Sequence, residues 1–299
     1  MKNRNINYRK TIPALLIALV LGCFSLSLSL QAASDSRRPQ QFTQIDVPGA
    51  IFTIATDINP RGEIVGFYLD SSFNLHGFLL SNGVFTTIDV PGANLTIATG
   101  INPRSELVGV YDDSSGNRHG FLLSMAAFTT IDFPGATLTV ASGINSGGDI
   151  VGDYFDSSGN RHAYLLSKSA FTTIDFPGAG TFGLDVEGIN PQGDIVGFYE
   201  DSSGNSHGLL LSKGKFTTID VPGAIQTFLS KINPQGDIIG ESIDINGNTH
   251  GFVLSNGRFT TIDVPGAVLT DASGINPRGD IVGDYIDTSG NDHGFVFSK

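Results

Sequence analysis

The phrase Phe-Thr-x-Ile-Asp-Val/Phe-Pro-Gly-Ala begins at Phe42, Phe85, Phe128, Phe171, Phe216 and Phe259, in steps of 43, 43, 43, 45 and 43 residues. A fixed period of this length marks a chain made of one supersecondary unit, which buries its apolar face only against neighbouring copies. Six units fill residues 42–299 and leave no stretch for a second domain.

Within the second unit, turn chemistry separates four short strands: 96–102, ended at Pro103; 106–111, closed by Asp-Ser-Ser-Gly-Asn; 119–124; and 128–133, halted by Pro134-Gly135. Asn82-Gly83 and Asn256-Gly257 suit two-residue primed hairpin turns, and Pro-Gly suits a type II turn with Gly at positive φ. No later segment has a helical period. Four antiparallel strands repeated six times predict an all-β, six-bladed β-propeller. A β-solenoid is the alternative, although its coils are usually shorter and seldom built from successive hairpins. If the Phe-Thr-x-Ile-Asp strand is the outer one of each blade, the first copy, 42–47, is spare and the last blade lacks one. The N-terminal strand is then expected to close the ring, leaving no unpaired edge.

The stretch "INPRGDIVGDYIDTSGNDHGFVFS" (275–298) and its sisters carry Ile-Asn, Gly-Asp, Val-Gly and a late His in constant order. In this they resemble the bacterial extracellular repeats named for a His-Ala-Phe signature, the HAF-type repeat, over the whole mature chain. This chain departs by writing His-Gly-Phe in four units, His-Gly-Leu in one and His-Ala-Tyr in one, with no Trp after the Leu. The resemblance implies an exported repeat protein and brings no assigned chemistry.

Residues 1–33 read as an export signal: Lys2, Arg4, Arg9 and Lys10 without an acid, an apolar run containing Pro13, then "QAAS" for cleavage near Ala32 or Ala33. A retained anchor helix and lipidation at Cys23 are the alternatives. The expected location is therefore secreted, extracellular or periplasmic. Residues 34–41 form a polar lead-in expected to be disordered. Removing the leader leaves 13 Lys and Arg against 29 Asp and Glu, so the mature surface is strongly acidic. That balance argues against nucleic acid and against any membrane contact beyond the export signal. Cys23 is the only cysteine, so the mature chain has no disulfide and relies on burial of its Phe, Ile, Val and Leu.

All six histidines, His76, His119, His162, His207, His250 and His293, fill one slot, once per unit. Equivalent positions in a six-fold ring that lie two strands from the axis are ~10 Å or more apart, too far for one shared metal. They are read as structural, each bonding a turn Asp or backbone group in a buried network of its own blade, with a ligand contact or a metal as alternatives. The Asp113–Asn117 turn and its copies could ligate calcium, but they offer one carboxylate at most copies, and an Asx turn explains them. The recurring Gly66, Gly109, Gly152, Gly197, Gly240 and Gly283 are expected to allow close blade packing. No cofactor motif, nucleophile elbow or Cys-x-x-Cys is present.

Where repetition marks structure, function is sought where the units disagree. Before Ile-Asn, four units have Gly, but the first has Asp57 and the fifth Lys231. The fourth unit carries the two-residue insertion with Asp185 and Glu187, and the sixth has Asp271. These five are candidate ligand-binding residues, expected to ring one mouth of the central channel, against the alternative of solvated drift. Three functions stay open: a secreted, non-enzymatic binding or scaffold module for a carbohydrate or protein ligand; a hydrolase or lyase with Asp185, Glu187 and Asp271 as acid and base candidates and Lys231 as stabiliser; and a calcium-stabilised adhesive protein. The enzyme requires two of those three carboxylates close together, one raised in pKa; the binding module, an exposed apolar or aromatic patch on one face.

Overall fold

The computed structural model describes residues 41–298 apart from 178 and 180–182. The expected leader and the lead-in up to residue 40 lie outside these residues. Gln41, assigned above to the lead-in, is instead the first residue of β1 (Gln41–Ile45). Blade 1 comprises β2 (Phe52–Ile58), β3 (Ile64–Leu69), β4 (Leu75–Ser81) and β5 (Val84–Ile88), and blade 2 comprises β6 (Leu95–Ile101), β7 (Leu107–Asp112), β8 (Arg118–Ser124) and β9 (Ala127–Ile131). Blade 3 is β10 (Leu138–Ile144), β11 (Ile150–Phe155), β12 (Arg161–Ser167) and β13 (Ala170–Ile174); blade 4 is β14 (Leu184–Ile189), β15 (Ile195–Glu200), β16 (Ser206–Ser212) and β17 (Lys215–Ile219). Blade 5 is β18 (Gln226–Ile232), β19 (Ile238–Ile243), β20 (Thr249–Ser255) and β21 (Arg258–Ile262), and blade 6 holds β22 (Leu269–Ile275), β23 (Ile281–Ile286) and β24 (Asp292–Ser298) with β1 as its fourth strand.

The chain is therefore a six-bladed, all-β propeller closed by its N-terminal strand. Strand β1 pairs antiparallel with β24, from Gln41↔Ser298 to Ile45↔Gly294. The first strands β2, β6, β10, β14, β18 and β22 pack in succession, and β22 meets β2, so these six line the axis. Apolar side chains fill each seam: Val151, Ala163 and Ile174 of blade 3 meet Leu184, Val186, Ile189, Ile195 and Leu209 of blade 4. With no disulfide in this core, such burial, worth about 1.5–3 kcal/mol per large side chain, carries the fold.

The turns follow their chemistry. Ala50 N donates to Val47 O and Gly49 has φ 83°, as a type II turn requires, and Asn82 and Gly83 both sit at positive φ in a primed hairpin turn. At Gly109 a Cβ would lie 2.0 Å from Ile97 O and 2.8 Å from the Phe121 ring, and its five counterparts face the same carbonyl of their own inner strand. The close packing expected of these glycines is thus an approach within one blade. The cause is a β-bulge in every inner strand, which shifts register between Ala98 and Gly100 in β6 and at the matching place in the other five.

Candidate functional site

The bulges place Thr56, Thr99, Ser142, Glu187, Ser230 and Ser273 outside the ladder. Thr56 Oγ1 donates to Ala98 O at 2.8 Å and Thr99 Oγ1 to Ala141 O at 2.7 Å, so the hydroxyls tie adjacent inner strands. Glu187 has no proton to give in that way when ionised. Lys231 completes the arrangement: its Nζ donates to Ser142 O at 2.7 Å and Glu187 O at 2.6 Å, satisfying two bulge carbonyls across blades 3 and 4. Asp57 does the converse, accepting from Ile58 N and, in blade 2, from Ile101 N at 3.0 Å.

Lys231 divides the channel. Towards the Asn-Pro turns lies a vestibule of about 80 Å³, lined by Asp57, Ile58, Ile101, Ile144, Ile189, Ile232 and Ile275 and by the turn prolines. Its rim is held by a belt in which Asn59 Nδ2 donates to Asn102 O, Asn102 to Asn145 O and Asn145 to Asn190 O at 3.2–3.4 Å. On the other side lies a cavity of about 330 Å³, lined by Glu187, Glu241, Asp271, Phe198, Phe228 and Lys231, with hydroxyls from Thr56, Thr99, Ser230 and Ser273. The two Phe rings meet edge to face at 4.9 Å.

The five residues expected at one mouth are therefore spread along the channel. Glu187, Lys231 and Asp271 share the larger cavity, and Asp57 lines the vestibule. Asp185 turns into the seam between blades 3 and 4, where Arg161 bridges it at 2.6 Å and Asp153 at 2.8 Å. Sequence reasoning missed Phe198, Phe228 and Glu241. Phe198 and Glu241 occupy the slot after Val-Gly or Ile-Gly, which reads Phe67, Val110, Asp153, Phe198, Glu241 and Asp284, and that disagreement between units was the available signal. Phe228 differs from Ile54, Ile97 and Val140 at its own slot in the same way.

Burial raises Glu187, against the pull of Lys231, and raises Glu241. Burial and then the Glu241 charge push Asp271 up to about 7. Next to it Asp284 is pushed up to about 9, by burial and then by Asp271, Asp292 and Glu241. Of the three carboxylates that the enzyme reading named, Glu187 and Asp271 share this cavity and both are raised. Exposed apolar side chains, the kind of residue the binding reading looked for, also occur in loops of one face. Ile51, Ile225 and Val268, at one loop slot of the adjacent blades 1, 5 and 6, are 46–63% exposed on the Pro-Gly face, with Phe73 and Ile245 in neighbouring turns of that face at 76%.

Each histidine lies between two carboxylates of its own blade. In blade 3, His162 Nδ1 donates to Asp175 at 2.8 Å, Nε2 lies 3.6 Å from Asp156, and the ring stacks on Tyr154 at 5.2 Å. The blade-6 counterpart is His293, between Asp46 of β1 at 2.9 Å and Asp287 at 3.6 Å. The expected burial is corrected, since these side chains are 22–38% exposed: the slot opens the third strand at the propeller face, where solvent reaches the ring. Replacing His162 with Ala should cost about 1–2 kcal/mol in chemical denaturation, and an unchanged curve would remove its part in holding the blade. The turn carboxylate beside it is already engaged, as Asp156 accepts from Ser158 N, Asn160 N and the Asn160 amide. Among the described residues no three His, Cys, Asp or Glu side chains are arranged to hold a metal, and no helix is long and apolar enough to cross a membrane.

These shifts predict a pH profile of stability. Asp271 and Asp284 bind protons more tightly folded than unfolded, so their penalty is absent below 3.8 and grows until about 7 and about 9. The same sign holds for His162 and His250, raised chiefly by Asp175 and Asp263, and for His76, His119 and His207, where burial lowers the ring but the flanking carboxylates outweigh it. Their support is complete below 6.5 and lost above it. Turn aspartates Asp113, Asp156, Asp201, Asp244 and Asp287, held at about 2 by the side-chain and backbone N–H of the turn Asn, give support that is lost as pH falls from 3.8. Thermal unfolding across pH should therefore show greatest stability between about pH 4 and 6; a maximum above pH 8 would contradict the assignment.

No family model matches the sequence, and no curated protein is significantly similar to it. Among solved structures, the chain is similar to AofleA from Arthrobotrys oligospora, at 13% identity and a TM-score of 0.57, covering 89% of this chain and 88% of that one. It is also similar to the fucose-specific lectin from Aleuria aurantia (10%, TM-score 0.51, covering 86% and 98%). A third is the β-propeller domain of the trilobed protease from Pyrococcus furiosus (11%, TM-score 0.52, covering 83% and 94%). At these identities the likeness establishes the propeller fold.

Proposed function

We propose that the protein is an exported, non-catalytic binding module that takes a carbohydrate ligand in the cavity on the Pro-Gly side of Lys231. The observation that carries this reading is the partition of roles. Residues common to all six units are spent within and between blades, whereas Glu187, Phe198, Phe228, Glu241 and Asp271, each particular to one or two blades, gather around one hollow. Its volume, about 330 Å³, is at the small end of ligand pockets and suits a monosaccharide-sized group. A pair of aromatic rings beside carboxyl and hydroxyl groups offers an apolar face and directed hydrogen bonds, the combination that a sugar ring presents in reverse. The fold is one that a fucose-specific lectin uses, and the leader and HAF-like repeats support export.

The test is a glycan array with mature protein, residues 34–299, beside Phe228→Ala. Binding that weakens by about tenfold or more in the variant is expected, and binding that survives undiminished would move the site elsewhere. The raised carboxyl of Asp271 favours hydrolysis as a second reading. Release of reducing ends from the bound glycan, abolished in Asp271→Asn, would replace the first reading by the second.

A further inference from the structure

We infer that the cavity selects a ligand bearing an organic ammonium group, such as an amino sugar. This inference rests on the binding reading above and supplies its missing chemistry. Three carboxyl side chains, from Glu187 on β14, Glu241 on β19 and Asp271 on β22, line the same hollow as the rings of Phe198 and Phe228. Phe228 and Glu241 are directly paired across β18 and β19, so ring and carboxyl stand side by side on one face of blade 5. Oxygen Oδ1 of Asp271 is buried and has no hydrogen-bond partner among the described residues, as is true of Asp153 and Asp185, but those two have Arg161 on their other oxygen. The one cation in the lining, Lys231, has its ammonium committed to Ser142 O and Glu187 O at the floor.

An aromatic pair flanked by carboxylates attracts an ammonium through the negative faces of the rings and through direct charge, and desolvation strengthens both. With a neutral sugar bound, these buried carboxyl groups are relieved only by taking up protons, whereas a bound ammonium lets them stay charged. Blade 3 shows how this fold compensates such a cluster internally. There Arg161 enters between Asp153 and Asp185, while in blade 6 the slot of Arg161 is held by Asp292 and the slot of Asp153 by Asp284. The cavity side of blades 5 and 6 thus has the carboxyl groups without the guanidinium.

Binding should also respond to pH. Asp271 faces Glu241 on β19, Asp284 on β23 and Asp292 on β24, and shares the cavity with Glu187 and Lys231. Because burial holds Asp271 at about 7, an incoming cation competes with a proton, and affinity rises as pH rises through that value.

The experiment is calorimetric titration of mature protein with two matched pairs: D-glucosamine against D-glucose, and choline against its uncharged carbon isostere 3,3-dimethylbutan-1-ol. Sodium and calcium chloride serve as controls. Expected are binding of the charged member of a pair, about tenfold or more weaker binding of the neutral one, and a comparable loss in Glu241→Gln and in Phe228→Leu. For choline, whose charge does not titrate, affinity at pH 8 should exceed that at pH 5.5. Thermal unfolding of both variants establishes that they fold, and Glu241→Gln, which removes a like charge, should not lower Tm. Equal binding of glucosamine and glucose, indifferent to Glu241→Gln, would overturn the ammonium inference and leave the carbohydrate module standing. Displacement of choline by calcium at equal ionic strength would overturn it in favour of an inorganic ion. Failure of every cationic probe alongside a positive glycan array would overturn the inference alone, whereas failure of both would also remove the binding reading.

Discussion

Deleting residues 34–47 is expected to destabilise the propeller by more than about 5 kcal/mol, beyond the range of ordinary point substitutions, and to lower Tm by roughly 10–20 °C. The truncation removes all five register pairs between β1 and β24. It also strips Phe42 from Phe295 and Phe297, whose ring centroids it approaches at 5.6 and 4.7 Å, and uncovers two phenylalanines that are 0% and 4% exposed in the closed ring. His293 loses Asp46, and Thr53 Oγ1 loses the Val47 N–H that links the closing strand to blade 1. A synthetic peptide of residues 41–50 added in trans should restore part of the loss. A truncated protein that melts like its parent would show that closure adds nothing to stability.

Arg161→Leu is the second large effect, at about 3–5 kcal/mol near pH 7.5. The guanidinium joins Asp153, 1% exposed, to Asp185, 8% exposed, across the seam between blades 3 and 4. Without it two buried carboxylates face one another unpaired. At pH 5 the cost should shrink, because burial already raises Asp185 well above the usual carboxylate range, so without Arg161 it takes up a proton rather than stay charged. Neutral residues occur singly at these slots, Leu75 in blade 1, Val110 in blade 2 and Val140 in blade 3 standing where Arg161, Asp153 and Asp185 do. The triple variant Arg161→Leu, Asp153→Val, Asp185→Val should therefore recover most of the lost stability, with denaturation curves of single and triple variants closing the cycle. A single variant as stable as the parent would mean that solvent reaches the seam.

The fold was legible because the repeat carries a turn declared in one unit to its silent copies, such as Met125-Ala126 and Lys168-Ser169, which adopt the same positive φ without a turn signature. Asn82-Gly83 and Pro48-Gly49 name backbone conformations that few other residues adopt, and the recurrence of Phe42 at Phe85 and beyond counts the blades. The spare strand followed from that count. Strand ends moved by one or two residues, as in β9, which stops at Ile131 where 133 was expected, since pairing with β8 ends where Gly120 meets Ile131. The site was legible only in part. Glu187, Lys231 and Asp271 stood out as deviations on the strand read as innermost. Phe198 and Glu241 lie on the second strand, and only the cross-strand register, which sets Phe228 opposite Glu241 and Asp185 opposite Phe198, brings that strand's side chains to the hollow. Asp57 and Lys231 were read as possible ligand contacts, yet both meet backbone groups that the bulges and ring geometry leave unpaired, and no periodicity announces a bulge.

The closing strand is also nearly interchangeable with its siblings. Phe-Thr-Gln-Ile in β1 differs from Phe-Thr-Thr-Ile in β5, β9, β13, β17 and β21 at one position, so the edge of β24 could accept the fourth strand of another blade or of another molecule. What keeps the protein to one ring is tethering, which holds β1 near β24 at a local concentration that a separate chain reaches only when crowded. An opened ring has a free strand at one end and a receptive edge at the other, the head-to-tail arrangement that propagates without closing. At high concentration the same device that completes one ring would serve as a polymerisation joint, and a partly unfolded population would pass through chains of exchanged strands.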